Sequence, residues 1–142
     1  MRRVAAVLVV LCTVVPFAAG CASDDGGGGG GGAAVDIPED RFVTATGKSE
    51  LKVSVTDNEF VDPFVVVSTG TKVIWTNDGR NEHNVIPVTK GAFPGIATKD
   101  FAPGQSYAHT FDSPGDYPYF CSIHGTSKLK GQAGVIRVVE KP

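Results

Sequence analysis

From residue 50 onward, short apolar runs alternate with clusters of Gly, Pro, Asn and Asp. Leu51-Lys52-Val53-Ser54-Val55-Thr56 repeats with a period of two, which places Leu51, Val53 and Val55 on the core face of a strand. Phe64 to Val67 forms a second run after Pro63, closed by the turn residues Ser68-Thr69-Gly70. Lys72 to Asn77 is a third, stopped at Asp78-Gly79. The same texture predicts strands over Asn84–Val88, Gln105–Phe111, Asp116–Cys121 and Gly134–Glu140, with turns at Gly104 and Ser113-Pro114-Gly115. No helical periodicity lasts beyond about two turns in this region. Many short strands with frequent turn signals indicate an all-β sandwich or barrel, and residues 50–142 suffice for one such domain.

The chain upstream is different. Arg2 and Arg3 precede an apolar run, Val4 to Val15, and then small residues before Cys21, the layout of a signal peptide over residues 1–20. Ala18-Ala19-Gly20-Cys21 resembles a bacterial lipobox, although Ala18 stands where Leu is commoner. That reading makes Cys21 the first mature residue, anchored by palmitate-type acyl chains to the cell membrane on its extracytoplasmic side. Ordinary secretory cleavage or an uncleaved single-span anchor would also export the domain. Residues 21–49, with seven consecutive glycines from Gly26 to Gly32, read as a flexible tether. As a free coil, residues 22–49 would span about 30 Å.

Removing Arg2 and Arg3 with the signal peptide leaves eleven of the thirteen basic residues against fifteen acidic ones, a net charge of −4. That balance argues against nucleic acid as a partner. Cys12 lies in the signal peptide and Cys21 would carry lipid, so Cys121 is the one thiol of the globular part and no disulfide can form within it. Cys121 begins Cys121-Ser122-Ile123-His124 at the end of an aromatic-rich strand, and His83 lies in His83-Asn84-Val85 after another. A thiolate and two imidazoles suit copper or zinc. Structural zinc sites usually add a second short-range ligand pair, which is not present here. His109 alternates with Tyr107 and Phe111 along a strand and reads as a packed structural residue.

With these stretches in hand, residues 50–140 resemble a small blue-copper protein, a cupredoxin of the plastocyanin, amicyanin and pseudoazurin type. The resemblance is carried, in family order, by Val53 to Phe60, Thr71 to Asp78, His83-Asn84-Val85, Phe101 to Ser106, and Phe111 through His124. It implies a Greek-key β-sandwich and one mononuclear type 1 copper that shuttles single electrons between Cu(I) and Cu(II). It implies His83, Cys121 and His124 as equatorial ligands, and a hydrogen bond from Asn84 across to Ser122 that ties two ligand loops together. The imidazole edge of His124, beside Ile123 and Gly125, would pass the electron, with Pro94 and Pro103 bordering that end. The family commonly places an axial Met a few residues after the second His, but the only methionine here is Met1. Gln132 occupies the corresponding slot, and Gln is a known axial alternative. A solvent-facing Gln132, with no fourth ligand or with the Glu82 carbonyl nearby, is the other arrangement.

The expectation is therefore a membrane-anchored electron carrier with protein redox partners, no small-molecule substrate and no enzymatic activity. Copper oxidases and nitrite reductases need further copper sites built on His-x-His pairs, and a binuclear centre needs two cysteines in one loop; the chain has neither. A copper-delivery protein is the alternative, but such proteins use clustered Met and His.

Overall fold

The computed structural model describes residues 35–141. The expected signal peptide, Cys21 and the glycine run lie outside the described residues. Eight strands form two sheets: β1 (Val43–Thr44), β2 (Glu50–Val55), β3 (Phe64–Ser68), β4 (Thr71–Asn77), β5 (Ile86–Pro87), β6 (Ser106–Phe111), β7 (Gly115–Gly125) and β8 (Gly131–Val139). The larger sheet has the order β1-β3-β8-β7-β5 and the smaller β2-β4-β6. From β2 to β7 each connection carries the chain from one sheet to the other, and only the β7–β8 hairpin joins sequence neighbours within a sheet. The all-β sandwich expected from the alternation is thus the observed architecture.

Alternation accounts for the smaller sheet well. On β4, Thr71, Val73, Trp75 and Asn77 are buried and the residues between them are only partly so. On β2, Val53 and Val55 are buried, while Leu51 is partly buried against the same core. Trp75 is the hub of that core. Its ring stacks on Tyr107 at 5.6 Å and on Phe93 at 6.1 Å, and meets the edge of Tyr119 at 5.4 Å. Aromatic side chains bury large areas and prefer such stacked and edge-to-face arrangements, so one residue couples both sheets. His109 packs here too, stacked on Phe93 at 5.6 Å.

Three strands differ in extent from expectation. The β5 pairing is confined to Ile86–Pro87, β7 continues past Cys121 to Gly125, and β8 starts at Gly131. A run of the sequence also belongs to the fold although composition assigned it to the tether. Val35 to Ser49 contains a 3-10 turn at Glu39–Arg41, and β1 pairs in parallel with β3, Val43 against Val65. The reason lies on β7 and β8. Asp116 and Arg137 are cross-strand partners, and with Val135 and Ala133 they share the sheet face turned away from the core. Val135 is nonetheless fully buried, because the segment from Val35 to Phe42 covers that face. Arg137 donates from Nε to Asp116 Oδ1 at 2.7 Å and from an Nη to Oδ2 at 3.0 Å, pairs with Glu39, and lies over the Phe42 ring at 4.1 Å. Val35 N donates to Asp116 Oδ2 at 3.3 Å. A two-residue strand is too short for periodicity to reveal, and its partners lie far along the chain.

Burial pushes the Asp116 carboxyl up, but hydrogen bonds from Arg137 and Val35 outweigh it and hold the group below its ordinary 3.8. A depressed carboxyl contributes stability above its unfolded value and loses it as the pH falls through the folded one. Arg137→Ala should therefore cost about 2 kcal/mol near neutral pH, as a partly buried ion pair is broken, and open residues 35–45 to proteolysis. Denaturant titrations should show the gap between wild type and variant narrowing below pH 3.8. A pH-independent gap would contradict the assignment.

Candidate metal centre

β7 runs in register with β8 from Gly115 to Phe120, and then the ladder breaks. Phe120 faces Ala133 and Gly125 faces Gly131, so the four residues Cys121 to His124 stand opposite Gln132 alone. Extra residues on one strand bend it and redirect its side chains. Cys121 continues the inward face of Tyr117 and Tyr119 and is fully buried, whereas His124 reaches solvent at the end of the bulge. Gly131 permits the return: its φ of +72° is left-handed, and a Cβ there would lie 2.3 Å from the His124 carbonyl oxygen.

His83 arrives on the loop after β4, which is wound around two side chains. Asn77 is fully buried; its Nδ2 donates to the carbonyls of Asn81 at 2.9 Å and Phe101 at 3.0 Å, and its Oδ1 accepts from Gly79 N at 3.1 Å. Asp57 Oδ1 accepts from the backbone N–H groups of Arg80 at 2.7 Å and Asn81 at 3.2 Å. Neighbouring Asn84 then joins three segments. Its Nδ2 donates to Ser122 Oγ at 2.8 Å and Thr98 Oγ1 at 2.9 Å, while Ser122 N donates to Asn84 Oδ1 at 2.8 Å. Asn77, Asp57 and Thr98 were not singled out from sequence. The Asn77-Asp78-Gly79 turn signal hinted at the first, but nothing local could reveal the others.

The outcome is that one donor atom from each of His83, Cys121 and His124 lies within 4.8 Å of the other two. Cys121 Sγ stands 3.7 Å from His83 Nδ1, and the two imidazole centroids are 5.0 Å apart, tilted by 53°. First-row metal bonds of about 2.0 Å to nitrogen and about 2.3 Å to sulfur place such donors about 3.5–3.8 Å apart. The observed sulfur–nitrogen separation fits a shared ion without rearrangement. His83 is fully buried; burial first, and then the neighbouring His124, hold it below the usual histidine range. Smaller opposing pulls come from the Gln132 amide and the Asp57 carboxylate. The neutral ring is the form that ligates a metal.

Gln132 is also fully buried. Its Nε2 donates to the carbonyls of Thr56 at 2.8 Å and Glu59 at 3.3 Å, while Oε1 is buried without a hydrogen-bond partner. An unpaired buried acceptor costs about 1–3 kcal/mol, and a cation supplies what it lacks. Gln132 does not face solvent, the second arrangement that the sequence left open. The donor set therefore fits a copper ion.

A two-sheet sandwich with one thiol and two imidazoles gathered where a hairpin ladder breaks defines a cupredoxin. The chain belongs to the plastocyanin/azurin family of copper-binding proteins, whose family model matches residues 47–136. It is 35% identical to an amicyanin of Paracoccus versutus over 97 residues, 65% of this chain and 64% of that protein, and so spans just under two thirds of that relative's length. It is 35% identical to a plastocyanin of Scenedesmus fuscus over 79 residues, 51% of this chain and 81% of that one. A solved structure of an oxidised amicyanin variant superposes with a TM-score of 0.54 over 65% of this chain and 84% of its own, at 23% identity, which supports the fold. With the family shown, the group His83, Cys121 and His124 is suited to one copper ion.

Asn84→Ala should remove the tie between the two ligand loops and leave Ser122 N unpaired. The expected loss is about 2 kcal/mol in metal-free stability, with faster amide exchange across residues 121–125. Unchanged exchange there would show that the loops hold without it.

Proposed function

We propose that this protein is a one-electron carrier of the extracytoplasmic side of the cell membrane, held there by lipid on Cys21. In this reading His83, Cys121 and His124 would hold one copper ion, with the Gln132 amide oxygen as a fourth donor. The observation that carries it is the convergence of His83, Cys121 and His124, with the loops that bear them tied together by Asn84.

Copper bound there supplies the Cu(II)/Cu(I) couple. The protein's residues hold its surroundings constant. His83 and Cys121 are closed to water, and His124 is the one ligand that reaches the surface. Ile123 next to it is 50% exposed, so the outlet for the electron is an imidazole edge with an apolar neighbour. A partner protein can approach that edge without either surface opening. Asn84 and the β7–β8 hairpin tie the ligand-bearing segments together and would keep the donors in place whichever charge the ion carried. The amide oxygen of Gln132, harder than a thioether, favours Cu(II) over Cu(I). With Cys121 as the one thiol of the globular part and no His-x-His pair in the sequence, the reading includes no second copper centre for substrate chemistry. Protein redox partners are the expected counterparts, and a partner in or near the same membrane suits an anchored carrier.

Purified protein titrated with Cu(II) should bind one equivalent and develop the intense visible absorption of thiolate-to-copper charge transfer. Cys121→Ser should abolish the colour, and a colourless protein that prefers zinc would end the redox reading. Gln132→Met should raise the reduction potential; no rise would remove Gln132 from the metal. In cells, Cys21→Ser should shift the protein from the membrane fraction to the soluble one, and an unchanged distribution would refute the lipid anchor.

A further inference from the structure

Asp57 follows β2 and belongs to no ligand set, yet its carboxylate meets the metal centre from behind. Oδ1 stands 3.9 Å from His83 Nε2, the ring nitrogen other than the one facing Cys121 Sγ. His83 Nε2 is buried and has no hydrogen-bond partner. Asp57 cannot swing away freely, since Oδ1 accepts from Arg80 N and Asn81 N and Oδ2 accepts from Arg80 Nε at 3.2 Å. Gly79 keeps the approach open: a Cβ there would lie 2.6 Å from Asp57 Oδ1 and 3.2 Å from His83 Nε2. A glycine at this point is what lets the carboxylate and the imidazole come together.

An ionised carboxylate only accepts hydrogen bonds. A ring nitrogen facing it is attracted when it carries hydrogen and repelled when it presents a lone pair. At 3.9 Å the contact is longer than a hydrogen bond, so the attraction is that of a charge for an N–H dipole. It is directed all the same, because Asp57 is held by three donors and the ring is enclosed. With hydrogen on Nε2, the Nδ1 lone pair is left for the side of the ring that Cys121 occupies. Carboxylates behind metal-bound histidines fix the tautomer and raise ligand basicity in other metal sites.

We propose that Asp57 is a positioning residue for the metal centre: it holds His83 as the Nε2–H tautomer with Nδ1 turned to the metal, and draws the bound copper toward Cu(II). The redox half rests on the copper reading above, whereas the tautomer half concerns the metal-free protein. Asp57 comes from a different sheet connection than the ligand it orients, so it couples the end of β2 to the loop after β4. Negative charge behind the imidazole stabilises the more highly charged copper state. Loss of that charge therefore favours Cu(I).

Long-range 15N–1H NMR on the metal-free wild type at neutral pH should show His83 as the Nε2–H tautomer, and an Nδ1–H tautomer would overturn the proposal. In the copper-loaded protein, Asp57→Asn keeps an acceptor for Arg80 and Asn81 but removes the charge. Its Cu(II)/Cu(I) equilibrium should move about tenfold toward Cu(I), a rise of about 59 mV for one electron. Gly79→Ala, which wedges a methyl between the two groups, should move it in the same direction. An unchanged potential in a blue Asp57→Asn protein would also overturn the proposal while leaving the copper reading intact. A wild type that stays colourless with Cu(II) yet shows Nε2–H would sink the copper reading and uphold the positioning role.

Discussion

Where β7 leaves its register with β8, four residues must be accommodated against Gln132 alone. A sheet cannot absorb that mismatch while keeping its hydrogen bonds and its side-chain alternation, so the strand bulges. Three of the four candidate donors, Cys121, His124 and Gln132, take their places from the bulge. Cys121, at its inner edge, stays on the face that Tyr119 has already committed to the core, while His124, at its outer edge, is released toward solvent. Gln132, the lone residue opposite, is enclosed by the same mismatch. One irregularity thus sorts a buried thiol, a surface imidazole and a buried amide into a single neighbourhood.

Such a neighbourhood is useful only if it does not relax. The loops around it are tied by polar side chains beside the metal site, of which Asn77 and Asn84 are buried and Asp57 is partly exposed. Asn77 winds the loop that carries His83, Asn84 bridges that loop to Ser122 and Thr98, and Asp57 closes it from below. Buried polar networks of this kind are costly when incomplete and rigidifying when satisfied. Among the described residues, Gln132 Oε1 is a buried acceptor left without a partner at the centre, while His83 Nε2, on the far side of its ring from Cys121, faces Asp57. Ligand loops tied to one another around a spare acceptor are what a site needs if it is to hold an ion whose charge alternates.

The opposite end of β7 is fastened differently. Asp116 and Arg137 pair across the outer face of the larger sheet and secure the segment from Val35 to Phe42 over it. Val35 joins the sandwich near the start of β7, about 17 Å along the strand from Cys121 at about 3.3 Å per residue. The attachment of the upstream chain and the metal centre therefore occupy separate ends of one strand. Events at either end need not disturb the other, since Trp75 and Tyr119 pack the core between them.

Much of this was readable from the sequence because the information is local. Alternation in Leu51 to Val55 and Lys72 to Asn77 reports a sheet face directly, and turn residues mark where each strand must stop. The thiol and the two imidazoles were legible as well, since few other arrangements explain an isolated cysteine three positions before a histidine. Composition misplaced Val35 to Ser49, because a strap held by Asp116 and Arg137 has no periodicity of its own. Gln132 could be named only by position; that it is enclosed, with one amide atom used and the other spare, depends on Thr56 and Glu59, which are remote in the chain. Sequence by itself determined which chemistry was available and which strands would carry it. Tertiary structure alone decided how the ligand loops are tied, that Gln132 is enclosed and which carboxylate stands behind His83, because those are relations between segments that only packing brings together.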